Sequence, residues 1–157
     1  MREAQAADMV SVLELIRELA VFEKEPDAVE ISVQDLLADG FGERPSFRVF
    51  LAEAEGEVLG MALFYERYST WKGKAIHLED LIVKKAHRGK GIGRALYDKV
   101  LRFGKAGGYR RITWEVLDWN KDAIDFYAST GARILDSWKV VHMEEKSLDA
   151  YVKGNER

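Results

Sequence analysis

The sequence predicts an α/β domain built on a mixed, mostly antiparallel sheet flanked by helices, in the order α-α-β-β-β-α-β-α-β. Three stretches carry this prediction. Residues 9–20 place apolar side chains at helical spacing, residues 46–68 read as two hairpin strands, and residues 78–106 pass from an apolar strand through glycines into a helix. The last stretch begins a βαβ unit, which follows the mostly antiparallel strands of the first half of the chain. The length suits one domain, which we expect to span residues 1–157.

Two helices are predicted at the N-terminus. The stretch "DMVSVLELIRELAVF" repeats apolar residues at helical spacing, and Asp8 stands where an N-cap is expected. In "SVQDLLADG", Ser32 and Asp35 have the spacing of a capping box, and Gly40 is expected to end the helix.

Strands and helices alternate in the rest of the chain. The hairpin is expected to turn near Glu55-Gly56. The elements that follow are a strand over 75–83, a helix over 92–106 stopped by Gly107-Gly108, a strand in "RRITWEVL", a short helix in "NKDAIDFYASTG" capped by Asn120 and ended by Gly131, and a last strand in "WKVVHM". The segment after Met143 gives no readable signal.

Composition narrows the class of protein. Hydrophobic residues make up 47% and charged residues 32%, the balance of a soluble globular chain. The lack of cysteine excludes disulfides, thiolate metal sites and a cysteine nucleophile. No apolar run approaches the roughly 20 residues of a membrane span, and the N-terminus does not read as a signal peptide. We therefore expect a cytoplasmic protein that binds no membrane.

The net charge of -3 conceals a separation of charge along the chain. From Glu3 to Asp39 there are ten acidic residues and two basic ones. Between Asp80 and Asp98 only basic charges occur, and these are Lys84, Lys85, Arg88, Lys90 and Arg94. Such a chain can hold a cation in one region and an anion in another, unless the charges simply solvate the surface.

The glycines of the basic segment point to a bound polyphosphate. Glycines between a strand and a helix let the backbone approach a ligand closely, and the helix N-terminus adds partial positive charge. A tight structural turn is the alternative. A Walker loop needs Gly-Lys-Ser/Thr, but Gly93 is followed by Arg94-Ala95, and neither glycine pair has the third glycine of a dinucleotide fingerprint.

The loop Arg88-Gly89-Lys90-Gly91-Ile92-Gly93 fits the pattern R-x-x-G-x-G instead, and so resembles the acetyl-CoA loop of the GNAT superfamily of N-acetyltransferases. Together with "GFGERP", "TWKGKAIHLEDLIV" and "VLDWNKDAIDFYASTGA", it is similar to the diamine branch, the spermidine/spermine and thialysine N-acetyltransferases. The resemblance implies the GNAT fold, acetyl-CoA as cosubstrate, no metal and a homodimer whose C-terminal strand or tail reaches across. It also implies direct transfer, in a ternary complex, to a primary amine of a small cationic acceptor.

The residues that the resemblance places at the cofactor lie on the strand, in the loop and at a helix cap. They are Leu81, Ile82, Val83, Arg88, Gly89, Lys90, Gly91, Ile92, Gly93, Arg94 and Asn120. A backbone N–H of the Leu81–Val83 strand is expected to polarise the thioester carbonyl, because GNAT enzymes splay two strands apart there. Asn120 caps its helix, contacts CoA, or does both.

Acetyl transfer needs a neutral amine, yet an alkyl ammonium has a pKa of about 10.4 and must first lose a proton. Glu79 is the candidate base, directly or through a water, and a solvated strand acid is the alternative. Strand alternation predicts that Glu79 faces away from Asp80, with Leu78 on the side of Asp80. Tyr127 is the candidate general acid toward the CoA sulfur, against a role in core packing.

The resemblance places the acceptor amine near Glu23, Trp71 and Asp80. A carboxylate pairs with a distal ammonium, and an indole face holds a cation or an alkyl chain. The alternative is that Glu23 is a solvated surface acid and Trp71 a packing residue. Polyamine enzymes have an acid just before this tryptophan, where Ser69-Thr70 stand here, and some relatives have tyrosine in place of Phe22. These differences leave room for a shorter diamine, thialysine or another lysine-like amine.

Other activities stay open at this point. A peptide or protein N-acetyltransferase shares the same motifs, and a non-catalytic acyl-CoA-binding module shares the loop. Nucleic-acid binding is disfavoured because the basic residues concentrate in one loop. His77, His87 and His142 lack metal-ligand spacing and read as surface or strand residues.

Overall fold

The computed structural model describes residues 1–154. Strands and helices are β1 (Arg2–Glu3), α1 (Met9–Phe22), α2 (Val33–Phe41), β2 (Arg48–Ala54), β3 (Glu57–Ser69), β4 (Gly73–Val83), α3 (Ile92–Ala106), β5 (Ile112–Thr113), α4 (Lys121–Ser129) and α5 (Glu145–Gly154). Short 3₁₀ turns cover Ala6–Asp8 and Lys85–His87. The chain forms two compact units, Met1–Leu117 and Asp118–Arg157, and the sheet lies in the first.

The sheet confirms the predicted fold class. Its strand order is β1-β2-β3-β4-β5, with three antiparallel pairs followed by a parallel pairing of β4 with β5. The hairpin turn is confirmed as well, because Glu55 and Gly56 both have positive φ, as a two-residue hairpin turn requires. The helix predicted over 92–106 has those bounds in the structure.

Each face of the sheet packs against different helices. On one face, α1 buries Met9, Val12 and Leu15 against sheet residues that include Leu51 and Met61. On the other face, an aromatic cluster joins Phe50 and Phe64 of the sheet to Phe103 of α3, with ring centroids 4.9 to 5.8 Å apart. These layers hold β4, which carries the predicted functional residues, between β3 and β5.

Helix boundaries correct two predictions. The capping box of Ser32 and Asp35 is confirmed, but α2 continues through Gly40, where a Cβ would lie 2.8 Å from the Phe47 ring and would force that ring to shift. The predicted stop at Gly40 is therefore wrong, and the glycine serves packing. Asp8 makes no capping bond to α1, because its carboxylate accepts from the Gln5 N–H and pairs with Arg2 at 2.6 Å.

Strand predictions fail where the segment finds no pairing partner within residues 1–154. The last strand expected in "WKVVHM" is wrong: residues 138–143 have irregular backbone, and the side chain of Val141 is 87% exposed. The strand expected in "RRITWEVL" shortens to β5, of two residues. The structure adds β1, which pairs Arg2 with Leu51, and α5 in the tail that gave no signal.

Within residues 1–154 no helix combines the length and the apolar character that crossing a membrane requires.

We predict that Gly60→Ala destabilises the sheet, because a Cβ there would lie 2.5 Å from the carbonyl oxygen of Ile82. Backbone cannot move aside as a side chain can, so we expect a loss of about 1–3 kcal/mol in the free energy of unfolding, measured in urea. Gly93→Ala is the matched control, because the nearest atom to its Cβ is a methyl of Val83 at 3.6 Å. Equal stability of the two variants would contradict the close approach of β3 to β4.

Candidate active site

One extra residue in β4 shapes the centre of the site. Opposite β4, Leu63 pairs with Asp80 and Phe64 pairs with Leu78, so Glu79 has no cross-strand partner. Glu79 is therefore a β-bulge, which shifts the alternation of the side chains that follow it. Directly opposed residues share a face of an antiparallel pair, so Asp80 lies on the face of Leu63 and Leu78 on the face of Phe64.

The bulge overturns the predicted alternation. Leu78 was expected on the side of Asp80, but it lies with Phe64 on the α3 face, whereas Asp80 lies with Leu63 on the α1 face. Glu79 does not oppose Asp80 either, because its carboxylate lies 3.4 Å from His77, which pairs with Tyr65 on the same face of β3 as Leu63. A regular two-residue period contains no signal for an inserted residue.

Three carboxylates gather on the α1 face of β4. Burial, followed by the negative charges of Glu79 and Glu23, raises the pKa of Asp80 to about 7. Glu23 directly follows α1, and its partial loss of solvent raises the pKa of its own carboxyl group. Neighbouring carboxylates oppose one another's ionisation, and an added cation relieves that repulsion. The structure thus brings together Glu79, Asp80 and Glu23, three of the predicted site residues.

Polar side chains of β3 and β4 surround Glu79. The Nε2 atom of His77 lies 3.4 Å from Oε2 of Glu79, and the Tyr65 ring lies 5.2 Å from the His77 ring. Burial and then the Glu79 charge raise the pKa of Tyr65. His77 and Tyr65 are site residues that the sequence pattern alone did not predict. The sequence signal that could have placed His77 in the site is its position two residues before Glu79 on the predicted strand.

Beyond the bulge, one edge of β4 is open. Within Met1–Leu117, β5 pairs with β4 only at Ile76 and His77, although β4 continues to Val83. The Lys84 N–H donates to the Leu59 carbonyl on the β3 side. Because successive N–H groups of a strand alternate in direction, those of Leu81 and Val83 point to the open edge. Two backbone donors therefore face away from β3 next to the carboxylates.

The glycine loop continues this row of donors. Gly89 and Gly91 have φ values of 75° and 79°, and a Cβ added at either would meet no protein atom within 4 Å. Helix α3 begins at Ile92, and its first backbone bond runs from the Ala95 N–H to the Gly91 carbonyl. Among residues 1–154, no backbone acceptor pairs with the N–H groups of residues 89–93. Such a row at a helix N-terminus is suited to an anion.

Contacts with α1 brace the loop. Arg88 donates from Nε to the Val83 carbonyl at 2.8 Å, and its guanidinium lies 5.2 Å from the Phe22 ring centre. The Lys85 N–H donates to the Glu18 carboxylate at 2.9 Å. Lys90 is exposed at the loop surface. Part of the basic cluster thus holds the loop in place, which the sequence analysis did not foresee.

The second unit carries two further predicted residues. Asn120 caps α4 by accepting from the Ala123 N–H at 3.4 Å, so its capping role is confirmed and its CoA contact stays a prediction. Tyr127 is 8% exposed, and its ring lies 5.2 Å from that of Phe126. Its role as general acid stays a prediction.

Trp71 lies apart from the carboxylates within the chain. It is 76% exposed in the turn between β3 and β4. The six steps along β4 from Gly73 to Glu79 span about 20 Å at the rise of a strand. The contact of Trp71 with the acceptor amine therefore stays a prediction.

The profile of the Acetyltransferase (GNAT) family matches residues 10–132 of this sequence. The chain belongs to the GNAT family. It is 43% identical to a thialysine N-epsilon-acetyltransferase from Bos taurus, over 94% of this chain and 93% of that protein. It is 35% identical to the human spermidine/spermine N(1)-acetyltransferase-like protein 1, over 90% of this chain and 21% of that longer protein.

Solved structures agree on the fold of this GNAT protein. An integron cassette protein from the mobile metagenome of V. cholerae has a TM-score of 0.79 and 24% identity, over 97% of this chain and 96% of its own. The family and the named relatives confirm that the chain is an acetyltransferase. Over the described part of the chain, no three His, Asp or Glu side chains lie grouped as metal ligands.

We predict that the raised pKa of Asp80 makes stability depend on pH. The folded carboxyl retains a proton that the unfolded chain loses above a pKa of about 3.9, so unfolding releases a proton between about pH 4 and the folded value. The free energy of unfolding should therefore fall as the pH rises from about 5 to about 8.

Asp80→Asn should reduce this fall in the free energy of unfolding, as measured by urea unfolding at about pH 5 and about pH 8. Asp39→Asn, a change at an exposed helical position, is the control and should retain the slope of the unaltered protein. Parallel slopes in all three proteins would show that Asp80 ionises as it does in the unfolded chain.

Proposed function

We propose that this acetyltransferase moves the acetyl group of acetyl-CoA to a primary amine of a small cationic acceptor, by direct attack in a ternary complex. One observation carries the proposal: the bulge at Glu79 sets carboxylates beside an open strand edge that leads into the glycine loop. Acids, a free row of backbone donors and an anion-binding loop are the parts that such a transfer requires.

Acetyl-CoA is the cosubstrate of GNAT acetyltransferases. We assign its phosphates to the N–H groups of residues 89–93, with charge from the side chains of Arg88, Lys90 and Arg94. Its pantetheine arm extends the sheet along the open edge of β4, where the N–H groups of Leu81 and Val83 point. Ile82 supports this edge from the core, where it is 3% exposed. The thioester then lies at the bulge, and Asn120 contacts the cofactor from its helix cap.

Glu79 receives the proton of the acceptor ammonium, directly or through a water. The neutral amine nitrogen attacks the thioester carbon, the new C–N bond forms and the C–S bond breaks. A backbone N–H of the β4 edge stabilises the oxyanion. Tyr127 donates its hydroxyl proton to the departing thiolate, and its phenolate recovers a proton from the positively charged nitrogen as that nitrogen becomes a neutral amide. No metal takes part in these steps.

The acceptor is a compact amine with a second charged group. Asp80 and Glu23 form a negative region that a distal ammonium neutralises, and binding of that cation favours the ionised form of Asp80. Trp71 stays a prediction from the resemblance, because about 20 Å of β4 separates its turn from Glu79. The names of the relatives, for thialysine and for spermidine/spermine, support this class of acceptor.

We also propose a homodimer. Residues 138–143 form no strand within residues 1–154 and expose the apolar side chains of Trp138 and Val141, which supports their burial against a second copy. Light scattering that returns the mass of one chain, 17.9 kDa, would contradict this. A cytoplasmic location and a single domain over residues 1–157 stay predictions from the sequence.

An acceptor screen tests the proposal. We expect CoA release when acetyl-CoA is supplied with thialysine, lysine or short diamines, and little release with peptides. A peptide-only profile would favour a peptide or protein N-acetyltransferase instead. Tight acetyl-CoA binding without transfer to any amine would favour a non-catalytic acyl-CoA-binding module.

We predict that Glu79→Gln lowers kcat by about 10²–10⁴-fold, the usual contribution of a general base, while acetyl-CoA affinity stays unchanged. Tyr127→Phe should also lower kcat, because the thiolate then leaves unprotonated. Glu14→Gln, an exposed change on α1, is the matched control and should keep full turnover. Steady-state kinetics and calorimetry with acetyl-CoA provide the measurements. Unchanged turnover in both site variants would refute the mechanism.

A further inference from the structure

His77 is a buried ionisable side chain with two distinct sets of neighbours. It lies on β4 opposite Tyr65 and is 7% exposed. On one side of its ring, Nδ1 lies 3.1 Å from Oγ1 of Thr113 and 3.4 Å from Nη1 of Arg67. On the other side, Nε2 lies 3.4 Å from Oε2 of Glu79. The imidazole therefore connects a cation to the carboxylate of the bulge.

The neighbours of the imidazole favour one position for its proton. Nη1 of Arg67 lies within reach of both Nδ1, at 3.4 Å, and Oγ1 of Thr113, at 3.3 Å, and because a guanidinium only donates hydrogen bonds, its contact with Nδ1 requires that this nitrogen accepts. The Thr113 hydroxyl is compatible with this, because it can donate to Nδ1 or to the Ile76 carbonyl, 3.4 Å away. A neutral imidazole that accepts at Nδ1 carries its proton on Nε2. That N–H then lies on the side of the Glu79 carboxylate.

We propose that His77 is a positioning residue for Glu79, held in its Nε2–H tautomer by Arg67 and directing that N–H toward the carboxylate. The inference rests on the proposed role of Glu79 as the base. A bulge residue has no cross-strand partner to fix its side chain, and the Glu79 side chain is 51% exposed. A buried donor beside it restricts the directions in which the carboxylate points.

The arrangement also offsets the crowding of negative charge around Glu79. Asp80 adjoins it, Glu23 approaches Asp80 from the end of α1, and Glu115 acts on Tyr65 from the segment after β5. A carboxylate surrounded by acids turns toward solvent unless a donor holds it. The Nε2–H of His77, with Arg67 behind it, supplies one such donor, beside the hydroxyl of Tyr65, whose pKa is raised by burial, by the Glu79 charge and by a hydrogen bond to Glu79.

The tautomer can be tested without any assay of activity. Long-range ¹H–¹⁵N spectra at about pH 8 report the tautomer of a neutral histidine, and the chain has three histidines. The His77 signals are those that vanish in His77→Gln. We expect the Nε2–H tautomer, and Arg67→Met should introduce the other. A dominant Nδ1–H tautomer or a doubly protonated ring would overturn the proposal, whatever Glu79 does.

Kinetics test the positioning itself. We expect His77→Phe to lower kcat by about tenfold to a hundredfold, as small misplacements of a reacting group do, with the KM of the amine changed by less than about twofold. His77→Gln should retain most of kcat, because its amide accepts from Arg67 and donates to Glu79. Thermal unfolding of each variant identifies losses that come from instability.

A double variant separates this proposal from the proposed function. His77→Phe combined with Glu79→Gln should be no slower than Glu79→Gln alone, because His77 acts through Glu79. Full turnover in His77→Phe, with Glu79→Gln impaired, would overturn the positioning role and leave the function intact. Full turnover in Glu79→Gln would contradict the proposed role of Glu79 as the general base. The Nε2–H tautomer of His77 could then still be correct.

Discussion

The inserted residue at Glu79 is the constraint on which the site depends. The β-bulge changes the direction of the backbone as well as that of the side chains. Before it, the Ile76 N–H donates to the Arg111 carbonyl, on the β5 side, and after it the Lys84 N–H donates to the Leu59 carbonyl of β3. The same insertion brings Glu79 and Asp80 near one another and turns the Leu81 and Val83 N–H groups to the edge that β5 leaves open.

The open edge and the glycine loop form one continuous surface of donors. A long β4 beside a β5 of two residues would be an unprotected edge in most sheets. Here it runs directly into a loop whose positive φ values at Gly89 and Gly91 expose more backbone N–H groups. An extended ligand with amide groups at one end and phosphates at the other can accept hydrogen bonds from both the β4 edge and the glycine loop. Acetyl-CoA has that chemistry.

Much of the fold followed from local sequence. The helix over residues 92–106, the turn at Glu55-Gly56 and the Ser32–Asp35 cap each depend on neighbours within a few residues, so periodicity and turn chemistry were sufficient. The carboxylates of the site were found because Glu79 and Asp80 adjoin in the chain. Family resemblance, not spacing, assigned their roles.

Features set by distant partners were not predicted. Whether Glu79 is an extra residue depends on the register of β4 against β3, which the β4 sequence does not contain. The last strand was expected from its composition, but a strand needs a neighbour, and residues 138–143 have none within the described chain. His77 was read as an ordinary strand residue, because its neighbours Arg67 and Thr113 come from two other strands.

Amide hydrogen exchange, followed by mass spectrometry with and without acetyl-CoA, tests the central claim most directly. The account predicts that acetyl-CoA slows exchange in peptides covering Leu81–Val83 and residues 89–93, because these N–H groups gain partners only from the ligand. Binding of acetyl-CoA that leaves exchange in both segments unchanged would contradict it.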